Sequence, residues 1–244
     1  MATDIRLYVD NPLHENLSVE IGDKQTHYLK NVMRQSIGNE ILLFNGIDGE
    51  WRARIDHIGK RGATLVPLNQ TLAQDAVPDL WLLFAPLKRT KTDLIVEKAT
   101  ELGVSAIWPV VTERTNSDRV NLGRLTAIAI EAAEQSGRLS VPEVKDVAKL
   151  NAVLENWPDP SRRLLAMNET GTGAPIAEIL SQTDQPTLNA ILIGPEGGFA
   201  ARELDLLAKL PFVTSVGLGG RILRAETAVI AALACWQALV GDWT

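Results

Sequence analysis

The sequence predicts an α+β protein of two domains, an N-terminal β-barrel and a C-terminal α/β domain. Short apolar segments in the first part are separated by Asn-Gly, Asp-Gly and Arg-Gly pairs, a pattern typical of strands joined by tight turns. From residue 80 onward, apolar strands alternate with helical segments, which indicates a parallel sheet covered on both faces. A polar segment at 70–79 separates the two patterns, so we predict domains at 1–72 and 73–244.

The N-terminal elements are several short strands interrupted by one helix. We predict strands at 5–9, 40–44, 51–55 and 63–66, and a helix at 24–34. Between residues 51 and 55, apolar Trp51, Ala53 and Ile55 alternate with Arg52 and Arg54, which is the period of a half-buried strand. Several short strands with a single helix favour a small barrel.

The C-terminal elements follow one another as strand and helix. The predicted strands are 81–85, 106–111, 163–167, 190–193 and 213–218, and the predicted helices are 91–102, 124–135, 203–210 and 225–239.

Composition excludes several classes of protein. The single cysteine, Cys235, excludes an internal disulfide framework and a cysteine-rich zinc site. His14, His27 and His57 show no metal-ligand spacing, so no metal is expected. The chain opens with no secretory signal, and its longest apolar run, 228–236, is far shorter than the roughly 20 residues that span a bilayer. A cytoplasmic protein without a membrane partner is therefore expected.

The charge is divided unevenly along the chain. The net charge is −6, but residues 1–74 carry nine acidic and eight basic residues, a net of −1. The remaining residues therefore carry −5. The acidic total argues against a generally basic nucleic-acid coat protein, yet the barrel is the part better suited to contact a polyanion.

The most informative segment is an apolar strand that runs into a glycine-rich loop and then a helix, residues 191–199 (ILIGPEGGF). Glycines in such a loop let the backbone approach a ligand or adopt a positive φ. The loop has neither the Gly-Lys-Ser/Thr of a P-loop nor the dinucleotide fingerprint. Because Glu196 would repel a phosphate, the loop favours a ligand that is neutral or cationic there. The alternative is a tight connection with no ligand.

A second strand leads through glycines into a helix at residues 216–228 (VGLGGRILRAETA). Leu218, Ile222 and Leu223 are suited to lining an apolar slot, and Arg224 and Glu226 are unusual choices for a simple connector. Ligands in α/β sheets bind outside the carboxyl ends of strands, so two such loops at successive strand ends predict a ligand site. The alternative is that this segment is only a loop followed by the start of a helix, with no ligand.

Several segments resemble one known family in the same order. They are GPEGGF (194–199), LGGRILRAETA (218–228), HYLKNVMR (27–34), EKATELGV (97–104), ER (113–114) and EAAEQSGR (131–138). Together they closely resemble the SPOUT superfamily of knotted methyltransferases and, within it, the RsmE family of 16S rRNA uridine-N3 methyltransferases. One departure is Ala200 and Ala201, which stand where members often place Ser or a similar cap, so the next helix is expected to lack an N-cap.

The resemblance implies a fold, a reaction and partners. The fold would be a PUA-like barrel that helps to grip RNA, followed by a SPOUT domain tied in a deep trefoil knot. Knots are almost absent from proteins, and periodicity gives no sign of one. The reaction would move a methyl group from S-adenosylmethionine to N3 of a uridine in 16S rRNA within the 30S subunit. The protein would be a homodimer whose active site borrows from both subunits.

The resemblance also implies a set of cofactor-binding residues at the strand ends. They are Leu165, Met167, Glu169, Ile193, Gly194, Pro195, Glu196, Gly197, Leu218, Gly219, Ile222, Leu223 and Arg224. The sulfonium of S-adenosylmethionine is cationic, so Glu196 is compatible with this ligand.

The chemistry of uracil indicates which other residues are needed. N3 carries a proton and is a poor nucleophile until that proton leaves, so the enzyme needs a base or a cation that stabilises the uracil anion. Arg224 and Arg138 are the candidates for stabilising or positioning the base, and Glu226 is the candidate for orienting an arginine. The alternatives are that Arg138 makes only an inter-subunit ion pair and that Glu226 only favours a helix N-terminus.

A set of basic residues is predicted to contact RNA. It comprises Arg6, Arg34, Arg52, Arg54, Lys88 and Arg89, with ordinary solvated surface as the alternative. Two other functions stay open from the sequence: a noncatalytic RNA-binding or assembly factor, and a related SPOUT enzyme that acts on tRNA or on a ribose hydroxyl.

Overall fold

The computed structural model describes residues 5–116, 120–168, 173–182 and 188–243. The chain divides into two compact units. The first comprises Met1–Ala76 with Ala133–Val141, and the second comprises Val77–Ala132 with Pro142–Thr244. The two-domain α/β organisation predicted from the sequence is confirmed in this coarse form.

The first unit is built on a five-stranded sheet. Its strands are β1 (Arg6–Tyr8), β2 (Val19–Ile21), β3 (Glu40–Phe44), β4 (Glu50–Ile58) and β5 (Ala63–Leu72). They lie in the order β1-β3-β4-β5-β2. The β1–β3 pair is parallel and the other pairs are antiparallel. Between β2 and β3, helix α1 (Asp23–His27) continues into a π-helical turn, Tyr28–Val32.

The alternation in β4 has the predicted consequence. Ala53 and Ile55 are completely buried in the core of this unit, and Arg54 points to solvent. Trp51 is half-buried at a register shift between Glu50 and Trp51, and its indole N–H donates to the Asp48 carbonyl at 2.8 Å. The strand therefore buries one face and exposes the other, as its period indicates.

The helix predicted at 24–34 is interrupted. After α1, the Met33 N–H donates to the Tyr28 carbonyl at 2.9 Å, which is the i→i+5 bond of a π-helical turn. Arg34 then takes a φ of 53°, a left-handed conformation that ends the helix. Leu29, within this turn, is fully buried in the core of the first unit.

The segment 133–141 groups with the first unit, although the sequence pattern places it in the second domain. Arg6 explains this grouping. Its guanidinium donates to the backbone carbonyls of Ala133, Glu134 and Arg138 at 2.8, 3.2 and 3.0 Å. In return, the Glu134 carboxylate accepts the Tyr8 N–H at 3.0 Å. Contacts between β1 and a segment far along the chain therefore set the composition of this unit.

The second unit is built on a parallel sheet. Its strands are β6 (Leu80–Phe84), β7 (Ala106–Val111), β8 (Glu143–Val144), β9 (Ala148–Lys149), β10 (Arg163–Met167), β11 (Ala174–Pro175), β12 (Asn189–Ile193) and β13 (Val213–Gly217). The order is β11-β13-β10-β12-β6-β7-β8, with β9 also paired to β7, and every pair is parallel. The helices are α2 (Arg89–Glu101), α3 (Leu122–Ser136), α4 (Leu150–Glu155), α5 (Ile176–Ser181), α6 (Ala201–Leu207) and α7 (Ala225–Leu239).

The central strands of this sheet are buried throughout. All five residues of β12 are buried, and Leu82, Leu83 and Phe84 of β6 are completely inaccessible. Burial on both faces is what the continuous apolar runs predict. Because β13, β10 and β12 are neighbours and run parallel, their carboxyl ends meet at one edge of the sheet. This edge carries the candidate site.

The described residues contain no helix long and apolar enough to cross a membrane. Over the same part of the chain, no group of three or more His, Cys, Asp or Glu side chains is arranged to hold a metal ion.

Candidate active site

A cavity of about 430 Å³ opens at the carboxyl ends of β10, β12 and β13. Four parts of the chain contribute to it: the end of β10, the glycine-rich loop after β12, the loop from β13 into α7, and the first turn of α2. The lining residues are Lys91, Met167, Asn168, Ile193, Gly194, Pro195, Glu196, Gly198, Leu218, Gly219, Arg221, Ile222, Leu223, Arg224, Ala225 and Ala228. The two glycine loops that the sequence singles out therefore border one cavity.

The loop after β12 folds back over a buried aromatic ring. The Gly198 N–H donates to the Pro195 carbonyl at 2.9 Å, and Gly198 adopts a φ of 69°. A Cβ atom at Gly194 would lie 2.9 Å from the Phe199 ring, which is closer than side chains pack. Since Phe199 is buried in the core of the second unit, only glycine fits at position 194.

A buried carboxylate fixes the same loop to its surroundings. Helix α6 begins after Ala200, which has no capping side chain, as the sequence predicts. Instead, Glu203 accepts the Ala200 N–H at 2.8 Å with one carboxylate oxygen and the Glu113 N–H at 2.8 Å with the other. Arg114 donates to the Gly197 carbonyl at 2.9 Å. The loop is thus held from inside by Glu203 and from its outer side by Arg114.

The loop from β13 leads into the last helix. Gly219 adopts a φ of 97°, which an L side chain rarely takes. Arg224 is the N-cap residue of α7, and its carbonyl accepts the Ala228 N–H at 2.8 Å. Ile222 is 86% exposed at the cavity. An exposed branched apolar side chain in a cavity suits contact with an apolar part of a ligand.

Three charged side chains meet at the edge of this cavity. The Lys91 ammonium donates to the Glu196 carboxylate and lies 3.5 Å from the Glu226 carboxylate. The hydrogen bond from Lys91 holds the pKa of the Glu196 carboxyl below its usual value, and the same bond raises the pKa of Lys91. Both groups are therefore charged at neutral pH.

The structure places the three predicted catalytic residues differently. The Arg224 guanidinium is exposed at the cavity and makes no hydrogen bond or ion pair with a described residue. Glu226, predicted to orient an arginine, has Lys91 as its ion-pair partner among the described residues. Arg138 belongs to the first unit, where its Nε donates to the Ser140 hydroxyl at 3.2 Å. The chain brings Glu226 and Arg224 to one helix start and keeps Arg138 in the other unit.

Most of the predicted cofactor residues line the cavity. These are Met167, Ile193, Gly194, Pro195, Glu196, Leu218, Gly219, Ile222, Leu223 and Arg224. Leu165 is completely buried within β10 and does not line the cavity, and Gly197 faces Arg114 instead. Glu169 lies outside the described residues.

Lys91 and Asn168 also line the cavity but are not predicted as site residues. Asn168 could have been predicted, because it directly follows a predicted strand. Lys91 carries no such signal, since it comes from α2 and lies 105 residues from its partner Glu196.

One predicted RNA contact does not fit the structure. The Arg6 side chain is 9% exposed and pairs at 2.7 Å with Glu50, which is 6% exposed. Arg6 also stacks on the Phe44 ring at 4.5 Å, and its remaining donors bond to backbone carbonyls. Its guanidinium is therefore occupied in the core of the first unit, and we remove Arg6 from the RNA-binding set.

The other predicted RNA contacts are accessible. Arg34 and Arg54 are exposed, and Arg52 is partly exposed. Arg54 lies 3.7 Å from the Asp56 carboxylate, a long and solvated ion pair that leaves its charge available. In the second unit, Lys88 and Arg89 are exposed at the start of α2. Their contact with RNA stays a prediction.

Two family models match this chain. The model described as an RNA methyltransferase domain matches residues 74–237, which is more than half of the chain. The model described as an RNA methyltransferase PUA domain matches residues 21–68. The two matches fall on the two parts of the chain that the sequence pattern distinguishes.

Individual relatives agree with these matches. The ribosomal RNA small subunit methyltransferase E of Rickettsia conorii is 36% identical over 230 residues, which cover 94% of this chain and 93% of the relative. The protein of the same name from Synechocystis is 32% identical over 226 residues, covering 91% and 74%.

A solved structure extends the agreement to the fold. The ribosomal RNA small subunit methyltransferase E from Neisseria gonorrhoeae, bound to S-adenosyl methionine, superposes with a TM-score of 0.88 at 30% identity, covering 99% of this chain and 100% of that chain. The resemblance seen in the sequence is confirmed. This chain belongs to the ribosomal RNA small subunit methyltransferase E family of RNA methyltransferases.

Proposed function

We propose that the chain transfers a methyl group from S-adenosylmethionine to N3 of a uridine in 16S rRNA of the 30S subunit, in the cytoplasm. The observation that carries the proposal is the cavity at the carboxyl ends of β10, β12 and β13, with Arg224 at its edge and paired with no described residue. The relatives are named as small subunit rRNA methyltransferases, and the Neisseria gonorrhoeae structure contains S-adenosyl methionine.

The cavity fits this cofactor by its chemistry. Ile193, Leu218, Ile222 and Leu223 provide apolar walls for a neutral adenosine, and the glycine loops leave backbone groups accessible. The Glu196 carboxylate is paired with Lys91, so the apolar walls and the accessible backbone groups carry the fit. The volume of about 430 Å³ lies in the usual range for small-molecule sites. When bound, S-adenosylmethionine supplies an electrophilic methyl group on a positively charged sulfur.

Arg224 is suited to activate the base. Loss of the N3 proton to solvent leaves a negative charge shared between N3 and the two uracil carbonyl oxygens. An exposed guanidinium at the cavity stabilises that charge without first having to break an ion pair with a described residue. Arg224 would thereby lower the cost of the anion and orient it, and the apolar lining would exclude water from the reacting atoms.

We further propose that the protein acts as a homodimer in which Arg138 reaches the base across the subunit interface. The resemblance seen in the sequence, which implies an active site that borrows from both subunits, supports this proposal. Exposed apolar side chains at the C-terminal end support an interface: Ile230 is 39%, Leu239 is 45% and Trp243 is 57% exposed.

The finer features of the fold are part of the same proposal. We infer that the five-stranded sheet closes into a PUA-like barrel, supported by the match to the PUA model. A deep trefoil knot is supported by the path after β13. Strand β13 lies on one side of β10, yet α7, which follows it, packs against β12 on the other side. A chain path from β13 across the carboxyl end of β10 to α7 is compatible with a knot at this place.

A labelling experiment tests the enzymatic proposal against a noncatalytic role. The purified protein and its Arg224→Ala variant are incubated with methyl-labelled cofactor and 30S particles that lack the modification, and RNA affinity is measured in parallel. We expect wild-type protein to label 16S rRNA and the variant to lose about 100-fold or more in rate while keeping its RNA affinity. Unlabelled RNA with the wild-type protein would favour the assembly factor.

A further inference from the structure

Lys91 occupies an unusual position beside the cavity. It lies in the first turn of α2, and its ammonium joins two carboxylates from different parts of the site. Glu196 belongs to the glycine-rich loop after β12, and Glu226 belongs to the first turn of α7. One side chain thus links the two segments that provide most of the cavity wall.

The charges around Glu196 show why this link matters. Besides Lys91, the cations that act on the Glu196 carboxylate are Lys88 and Arg224. Of these three, Lys91 is the one in hydrogen-bond contact, and it is 26% exposed. Arg224 lines the same cavity as Glu196 but is paired with no described residue. Without Lys91, the Glu196 carboxylate would have no hydrogen-bonded basic side chain among the described residues and would be open to pairing with Arg224.

The Glu226 carboxylate also depends on Lys91. Its side chain is 15% exposed, and its Oε2 atom is buried without a hydrogen-bond partner among the described residues. Its other oxygen faces the Lys91 ammonium at 3.5 Å. A largely buried carboxylate that faces one such cation depends on it for charge compensation. Removal of Lys91 would leave both carboxylates without this cation, while Arg221 and Arg224 remain on the cavity wall.

We propose that Lys91 is a positioning residue of the methyl-transfer site: it holds Glu196 and Glu226 and so keeps Arg224 unpaired and available to the substrate base. The inference rests on the proposed role of Arg224. Lys91 is not proposed to contact the reacting atoms. Its effect on the reaction is exerted through the state of Arg224.

The variant Lys91→Met removes the ammonium and keeps most of the side-chain bulk. We expect kcat for methyl transfer to fall on the order of 10- to 100-fold, because a misplaced or captured catalytic group costs this much. Lys91→Arg is expected to keep most of the wild-type activity, since a guanidinium can also bridge two carboxylates. Adding Glu196→Gln to Lys91→Met is expected to raise the rate above that of Lys91→Met alone.

Helix α2 offers a matched control. Lys98 also lies between two carboxylates, at 2.8 Å from Glu97 and 2.7 Å from Glu101, but both partners are on its own helix and none of the three lines the cavity. Lys98→Met therefore removes an equivalent bridge away from the site. We expect its kcat to stay within twofold of the wild-type value.

A second readout does not depend on the reaction. Arginine side-chain ¹⁵N NMR of the free protein, with the Arg224 signal assigned by Arg224→Lys, reports whether that guanidinium is held in an ion pair. We expect slower guanidinium rotation at Arg224 in Lys91→Met, and a return to the wild-type spectrum when Glu196→Gln is added.

The outcomes separate the two proposals. An Arg224 signal that is unchanged in Lys91→Met, or a kcat within twofold of the wild-type value, would overturn the role of Lys91. If the wild-type protein methylates no RNA, the proposed function fails, while the Arg224 spectrum still decides whether Lys91 keeps this arginine unpaired.

Discussion

Glu203 is expected to anchor the glycine-rich loop, and its replacement by alanine is expected to destabilise the protein. The side chain is 5% exposed, and its two carboxylate oxygens accept the N–H groups of Ala200 and Glu113, each at 2.8 Å. The first bond closes the start of α6, and the second ties this start to the loop after β7. The variant Glu203→Ala removes both acceptors at once.

The two lost bonds differ in cost. Ala200 is buried, so its N–H would remain without a partner, at about 1–3 kcal/mol. Glu113 is exposed, so water can replace the carboxylate there, and the net loss is about 1 kcal/mol. The sum is a decrease of about 2–4 kcal/mol in the free energy of unfolding. Glu203→Gln keeps one acceptor oxygen and is expected to lose roughly half as much.

Urea unfolding followed by tryptophan fluorescence measures this loss. Glu178 provides the control, because it is also the third residue of a short helix, α5, but is exposed and its carboxylate bonds to no described residue. Glu178→Ala is expected to change the unfolding free energy by less than about 0.5 kcal/mol. If Glu203→Ala costs no more than Glu178→Ala, Glu203 does not anchor the loop.

Three further predictions concern pH, RNA and assembly. Burial raises the pKa of Asp79, but the hydrogen bonds from Arg162, Ser105 and Trp81 lower it by more than burial raises it, so the pKa lies below its usual value. The ionised Asp79 carboxylate therefore stabilises the folded protein fully above its unfolded-state pKa of about 3.9, and this stabilisation is lost as the pH falls through the lower folded-state pKa. In Asp79→Asn, the free energy of unfolding should decrease less steeply below about pH 4 than in the wild-type protein, and an equally steep decrease would contradict this. Replacing both Arg52 and Arg54 by alanine should weaken RNA binding. The slope of log affinity against log salt concentration should become shallower by about two, one for each cation removed, and an unchanged slope would exclude both residues from the interface. Sedimentation at micromolar concentration should give the mass of two chains, whereas the mass of one chain would contradict the proposed homodimer.

Elements with a sustained apolar period are predictable from the sequence. Strand β7 (Ala106–Val111) and helix α7 (Ala225–Leu239) have the bounds that the period indicates. Strands β8 (Glu143–Val144) and β9 (Ala148–Lys149) are missed, because two residues are too short to show a period. The π-helical turn after α1 is also missed, since an apolar period over one turn does not distinguish it from an α-helix.

The site is predictable where its residues are contiguous in the sequence. The glycines and apolar residues of the two strand-end loops are enough, by their order along the chain, to mark the walls of the cavity. Contacts between distant residues cannot be predicted in this way. Arg6 does not fit the predicted RNA-binding set because its side chain is buried against Glu50, a residue 44 positions away. The ion pair between Lys91 and Glu196 is not predicted because 105 residues separate them. A single sequence gives the charge of a side chain but not the residue that neutralises it.

The most direct test is to identify the methylated nucleoside. The purified protein is incubated with S-adenosylmethionine and 30S particles from a strain that lacks the modification, the 16S rRNA is digested, and the nucleosides are analysed by mass spectrometry. The account predicts one new nucleoside, uridine methylated at N3. No methylated nucleoside, or a methyl group on a ribose or on another base, would contradict it.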